Sequence, residues 1–195
     1  MNRFDLDALR WDDLPRRVNL AKDVVKHITP HLKRHEKVLE FGCGTGLVGL
    51  NTAPFVKELI GIDTSAQMVK RFNEKAKKLN LNAIAYKKDI FEINEKFDLI
   101  ISSMTLHHIQ DIKSLSKKLY KITDACFLAD LCKENGTFHT RGNEDVYHFG
   151  FSRKELEEYF IDWNIEFKII HLVKKHKHFP VFLIKMTKKR GSLLA

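Results

Sequence analysis

The sequence predicts an α/β fold: a doubly wound, mostly parallel seven-stranded sheet with a C-terminal antiparallel hairpin. Three observations predict it. Short apolar runs alternate with segments of helical periodicity, the pattern that strand–helix–strand crossovers impose. A glycine-rich turn, GCGTG at 42–46, follows the first of those runs, at the strand end where such sheets hold ligands. The closing segment switches to strict alternation, turns at Lys174 to His178 and runs back through Phe179 to Thr187.

Each element follows from local chemistry. Asp13, Leu14 and Pro15 open a helix, with proline at the first turn where its missing N–H costs nothing, and Pro30 ends it near Thr29. Lys37 to Gly42 is a strand leading into the glycine loop, and the helix after Gly44 stops near Pro54. Leu59 to Asp63 is a second strand that ends on an acid. From Ser65, the residues Met68, Val69, Phe72, Ala76 and Leu79 recur at helical spacing, and strand three follows from Ala83 to Lys88. Phe97 to Ser102 reads as a buried parallel strand, and Ile112, Leu115, Leu119 and Ile122 mark the next helix face. Ala125 to Leu131 is strand five. Ser152 and Glu155 form a capping box, and Asn164 to Val173 begins the hairpin.

The 195 residues suffice for one well-buried core, so residues 1–195 are read as a single domain. No apolar run approaches a membrane span, and the first residues lack the apolar middle of a secretory signal, which points to a cytoplasmic protein with no membrane partner. Cys43, Cys126 and Cys132 form neither a CxxC pair nor a zinc spacing and are expected as free thiols. The net charge is +9, yet eight positive charges and no acid follow Glu166, leaving +1 for everything before it. The excess belongs to the hairpin, where lysines guard an exposed strand edge against aggregation.

The glycine loop narrows the ligand. A dinucleotide loop reads GxGxxG, but Leu47 stands where its third glycine would be. Glu40, just ahead of the loop, opposes a pyrophosphate and suits a ligand that carries an ammonium and a sulfonium. Asp63 at the next strand end can accept from both hydroxyls of a ribose, a role that does not discriminate between adenosine cofactors.

With VLEFGCGTG, GIDTSAQMV, KKDI, FDLIISSMTLHHI and the final hairpin in place, the chain resembles the class I S-adenosylmethionine-dependent methyltransferases, over about Trp11 to Lys188. The resemblance implies a Rossmann-like methyltransferase fold, S-adenosylmethionine as cofactor and S-adenosylhomocysteine as product. It places Gly42 and Gly44 against the methionine part, with Cys43 between them as a small loop residue, and Asp63 on the ribose. Thr64 and Met68 would flank ribose and adenine, Asp89 would accept from the adenine amino group, and Ile90 would donate its backbone N–H. Ser102 and Met104 would lie next to the transferred methyl. The segment WDDLPRR resembles a lid-forming start, which makes residues 1–35 an N-terminal helical lid with Trp11 and Arg17, or Arg16, over the cofactor.

His107 and His108 follow strand four and are the candidate catalytic bases for an acceptor that must lose a proton. The segment 131–152 is long for a connection, which suits a substrate-binding loop, with His139, Arg141, Tyr147 and His148 as candidate substrate contacts. No metal is expected, because Pro30 interrupts the His27, His31, His35 spacing, His176 and His178 sit among lysines, and HExxH is absent. The strand-four exit reads SSMT, without the Asn/Asp-Pro-Pro-aromatic pattern that accompanies methylation of base amines, which favours a small-molecule acceptor. The alternatives are a tRNA or rRNA methyltransferase that uses the basic hairpin and a non-catalytic module that binds an adenosyl ligand.

Overall fold

Alternation along each strand divides the core in two. In the computed structural model, which describes residues 3–139, 142–189 and 191, the strands are β1 (Lys37–Phe41), β2 (Glu58–Asp63), β3 (Ala83–Lys87), β4 (Leu99–Ser103), β5 (Ala125–Leu131), β6 (Trp163–Lys174) and β7 (His178–Lys188). They form one seven-stranded sheet in the order β3-β2-β1-β4-β5-β7-β6. β1 to β5 pair in parallel, and β7 runs antiparallel to both β5 and β6. Val38, Leu59, Ile101 and Phe127 point to one face, while Leu39, Ile60, Ile100 and Leu128 point to the other.

The helices are α1 (Arg3–Asp7), α2 (Pro15–Ile28), α3 (Gly49–Thr52), α4 (Ala66–Lys78), α5 (Ile112–Ile122) and α6 (Arg153–Tyr159). α2 lays Leu20, Val24 and Ile28 on the first face beside Phe72 and Ala76 of α4. On the second face, α5 contributes Ile112, Leu115, Leu119 and Ile122, and α6 contributes Leu156. Both sides of the sheet are thus covered, as a parallel sheet requires. Side chains close the helix starts. Ser65 accepts from the Met68 N–H, Asp111 accepts from the Ser114 N–H, and Ser152 with Glu155 forms the predicted capping box.

Two elements differ from expectation. The helix predicted after Gly44 shrinks to α3 and a 3-10 turn at Ala53–Phe55, because Gly44 and Gly46 adopt positive φ values of 52° and 85° that no helix accommodates. Strand four begins at Leu99 and runs one residue further than predicted, to Ser103. The long loop closes on itself at its neck. Cys132 and Phe151 form a β-bridge, and the Gly150 φ of +68° lets the backbone pass the Cys132 carbonyl, which a Cβ would meet at 2.2 Å.

The N-terminal segment is pinned across the sheet's carboxyl end. Asp5 accepts from the Ser65 hydroxyl at 2.6 Å, and Asp12 accepts from the Lys75 ammonium at 2.8 Å and from the Thr45 hydroxyl. No helix among the described residues is long and apolar enough to cross a membrane.

Candidate functional site

Strand order reverses between β1 and β4, since the chain runs outward through β2 and β3 and then returns to the far side of β1. A crevice must open at the carboxyl ends of those two strands. An open cleft of about 1160 Å³ lies there. Its floor is the β1 exit packed on the β4 exit, so closely that a Cβ on Gly42 would fall 2.1 Å from Thr105 Oγ1.

One half is shaped for a polar, adenosyl-sized ligand. A Cβ on Gly44 would meet nothing within 4 Å, so bare backbone faces the cleft there. The Asp63 carboxylate braces this turn, accepting from Gly44 N–H at 2.9 Å and Ser65 N–H at 2.8 Å. An ionised carboxylate accepts about four hydrogen bonds, so two more fit, the number a ribose diol offers. Burial pushes the Asp63 carboxyl above the usual carboxylate range, against the pull of the Ser65 and Gly44 amides. Thr64 and Met68 line the same half. Asp89 caps the 3-10 turn Ile90–Glu92 by accepting from Phe91 N–H, and Ile90 opens that turn with an N–H that has no partner within it. An acceptor and a donor therefore stand side by side at the cleft rim.

Glu40 lies beneath the loop, 2% exposed, with its carboxyl against Gly49 and its Oε2 without a hydrogen-bond partner. Burial raises it well above the ordinary range despite the facing Gly49 amide. Cys43 is buried against Gly61, and desolvation followed by the Glu40 and Asp63 carboxyls pushes its thiol up, which removes it as a nucleophile. Trp11 and Arg17 cover the cleft as one unit. The Arg17 guanidinium stacks 3.5 Å from the Trp11 ring, donates to the Trp11 carbonyl at 3.2 Å and pairs with Asp7 at 3.9 Å. Open backbone at Gly44 and spare lone pairs on Asp63 fit a ligand with a ribose.

The other half is walled with imidazole. Met104 leaves β4 with φ +58°, a left-handed conformation for a side chain with a Cβ, held by its N–H bond to the Ala129 carbonyl at 2.8 Å. The 3-10 turn Leu106–His108 then sets His107 over the end of β5. His107 is 1% exposed and Asp130 0%. His107 Nδ1 lies 2.6 Å from Asp130 Oδ1, and the carboxylate also accepts from the His107 and Leu131 amides at 3.2 and 2.7 Å. Burial alone would raise the Asp130 carboxyl, but His107 and these amides hold it below the usual range, so it is an anion accepting from Nδ1–H. That leaves His107 Nε2 with no partner, an unmade hydrogen bond that costs about 1–3 kcal/mol at a buried group.

His108 and His139 complete the wall. His108 Nδ1 bonds the Asp145 carbonyl, and the ring packs 4.0 Å from that of His107 and 5.7 Å from that of His139. Desolvation first, then the neighbouring His107 ring, lowers His108 to about 4, and the same causes with His108 added lower His139 to about 3. Both rings are neutral at pH 7. His139 Nε2 is a second buried nitrogen without a partner.

Several expectations need correction. Ser102 does not face the cleft. Its hydroxyl donates to the Phe41 carbonyl at 2.8 Å, and Ser103 lines the cleft instead, because side chains alternate and the strand continues past Ser102. His148 turns away, its Nε2 3.0 Å from the Ile109 carbonyl and its ring against Phe151. Tyr147 does line the cleft, and Arg141 lies outside the described residues. Folding also brings His139 to His107 and His108, a proximity that linear spacing does not record. Asp130 escaped notice, although its signal was legible: a lone acid in the apolar run ACFLADL must find a partner once buried.

Residues 38–125 match the family model for a methyltransferase domain. An uncharacterized methyltransferase of Schizosaccharomyces pombe is 33% identical over 144 residues, 63% of this chain and 51% of the relative. The chain thus spans about half the length of that curated relative. Among solved structures, the methyltransferase in complex with the Haloferax volcanii Trm112 methyltransferase activator superposes with a TM-score of 0.77 at 14% identity, covering 97% of this chain and 99% of that one. Magnesium protoporphyrin IX methyltransferase from Synechocystis, solved with bound S-adenosylhomocysteine, gives 0.71 at 13% identity, covering 89% and 84%. At these identities the structural likeness is one of fold.

Proposed function

We propose that the chain is a class I S-adenosylmethionine-dependent methyltransferase that transfers the donor's methyl group to a small-molecule acceptor. One observation carries this reading: a single cleft joins the Gly44–Asp63 cradle to an imidazole-walled chamber across the β4 exit at Met104. When bound, S-adenosylmethionine supplies an electrophilic methyl on a sulfonium and leaves as S-adenosylhomocysteine.

The chain's own residues orient and exclude. Asp63 receives the ribose hydroxyls, Asp89 and the Ile90 N–H read the adenine edge, and Glu40 sets a carboxyl beneath the cationic end. Trp11, stiffened by Arg17, covers the donor half from the N-terminal lid. Ser103 and Met104 border the point where methyl and acceptor meet. Holding nucleophile, carbon and sulfur in line supplies several kcal/mol without a covalent step. Of the two predicted catalytic histidines, His107 is the one whose unpartnered nitrogen stands against the acceptor, with Asp130 fixing its tautomer.

Two of the hairpin's basic side chains pair with acids and a third rests on an aromatic ring, which supports a small acceptor over RNA. Lys185 pairs with Glu166 at 3.0 Å, Lys188 with Asp124 at 2.6 Å, and Lys175 sits on the Phe138 ring at 3.9 Å. Calorimetry tests the donor assignment. S-adenosylhomocysteine should bind and NAD give no heat, and Asp63→Ala should weaken binding about 100-fold through loss of roughly 3 kcal/mol of charge-assisted bonding. NAD binding without S-adenosylhomocysteine binding would reverse the assignment. Donor binding with no S-adenosylhomocysteine formed across phenols, carboxylates, thiols and amines would favour the binding module.

A further inference from the structure

We propose that His107, His108 and His139 hold a divalent transition-metal ion in the acceptor half of the cleft, and that this ion binds an acceptor through oxygen. The metal site stands on the histidine geometry, while the acceptor role rests on the methyltransferase reading above.

One ligand nitrogen from each of the three rings lies within 4.8 Å of the other two. A tetrahedral site with metal–nitrogen bonds of ~2.1 Å needs nitrogens about 3.4 Å apart. Small rotations close that gap. His108 and His139 are only partly buried, on a 3-10 turn and a loop, while His107 is fixed.

The groups behind the rings are those a metal site uses. A ligating histidine gives its other ring N–H to a carboxylate or carbonyl, which fixes the tautomer and aims the free lone pair. His107 does this with Asp130 at 2.6 Å, and His108 Nδ1 meets the Asp145 carbonyl. Of the three buried side-chain nitrogens without partners among the described residues, His107 Nε2 and His139 Nε2 belong to this cluster, the third being Trp163 Nε1. Two cations flank the cluster, each with its own partner: Arg3 pairs with Asp145 at 3.7 Å, and Lys175 sits on the Phe138 ring.

The donor set also selects the ion. Three imidazoles without a carboxylate or thiolate in the ligand set suit zinc, cobalt, nickel or ferrous iron and disfavour magnesium and calcium. Three protein ligands leave an open position, as catalytic sites do. With the ion bound, His107 Nε2 ligates it and no longer acts as a base. A phenol or hydroxy acid filling the open position would release its proton to water, and its oxygen would then form the new C–O bond as the C–S bond of the donor breaks.

Cobalt(II) is the probe for the full chain, freed of any affinity tag and stripped with chelator. One equivalent should bind with the visible absorption of nitrogen-ligated Co(II), and Zn2+ should displace it. His139→Ala and His108→Ala, at partly exposed positions, should each raise the Co2+ Kd at least tenfold while S-adenosylhomocysteine affinity stays within twofold. Asp130→Asn, which leaves all three ligands in place, should raise it 10–100-fold. Absence of saturable binding of Co2+ and Zn2+, or unchanged affinity in both alanine variants, would overturn the site. A metal-loaded chain that fails to bind S-adenosylhomocysteine would leave the metal site standing and overturn its acceptor role.

Discussion

Replacing Gly44 with alanine separates what the turn does for the fold from what it does for the ligand. Gly44 has φ +52°, and a Cβ there meets no protein atom within 4 Å. The folding cost is therefore conformational alone, about 1–2 kcal/mol for a side chain in the left-handed region. For a chain of this size that lowers Tm by roughly 2–8 °C. The new methyl projects into the donor half of the cleft, where a close-fitting ligand must shift at about 1–3 kcal/mol, raising the S-adenosylhomocysteine Kd about 5- to 150-fold. Thermal scans without ligand and calorimetry with S-adenosylhomocysteine measure the two terms on one sample. Gly42→Ala is the contrast, since its Cβ would lie 2.1 Å from Thr105 Oγ1 and force β1 and β4 apart. A Gly44→Ala protein that melts a few degrees lower yet keeps its S-adenosylhomocysteine Kd within twofold would refute the cradle.

Gly150→Ala should open the neck of the loop between Cys132 and Phe151, because its Cβ meets the Cys132 carbonyl at 2.2 Å with φ +68°. We expect a Tm loss of several degrees and faster proteolysis between 132 and 151, with S-adenosylhomocysteine affinity unchanged; equal protease resistance would show that the loop is held elsewhere. Glu155 gives a pH signature. Burial alone would raise it, but Lys133 and the Ser152 cap lower it to about 2 from an ordinary 4.5. A depressed carboxyl stabilises the fold above its unfolded pKa and loses that contribution as pH falls through the folded one, here between about 4.5 and 2. Screening at this partly exposed pair leaves on the order of 1 kcal/mol. Glu155→Gln should therefore be less stable than the parent at neutral pH and converge on it in acid, and a constant difference across that window would count against the cap.

Local rules made most of the fold legible. Val38, Leu39 and their neighbours announce a strand buried on both faces, Ser65 and Ser152 announce helix starts, and GCGTG announces a ligand-binding turn. Those signals operate within a few residues, where backbone sterics and side-chain capping decide the outcome. The α3 region departs from its apolar periodicity because two glycines hold the chain there in left-handed conformations. Ser102 was misplaced by a single residue. In a strand that is enough to turn a side chain from the cleft to the neighbouring strand.

By itself the sequence determined the class of fold and the strand that leads into the glycine loop, and it placed Asp63, Asp89 and Ile90 at strand ends or turns that local chemistry defines, while the donor contacts proposed for Asp89 and Ile90 come from the family resemblance. Only the tertiary structure decided the acceptor half. His139 is 31 residues beyond His108, and Asp130 sits in another strand. They meet because β5 lies beside β4 and the loop folds back through the Cys132–Phe151 bridge. Spacing along the chain carries no record of that proximity. It arises from sheet order and loop closure, where burial forces an unpaired acid and its histidine together.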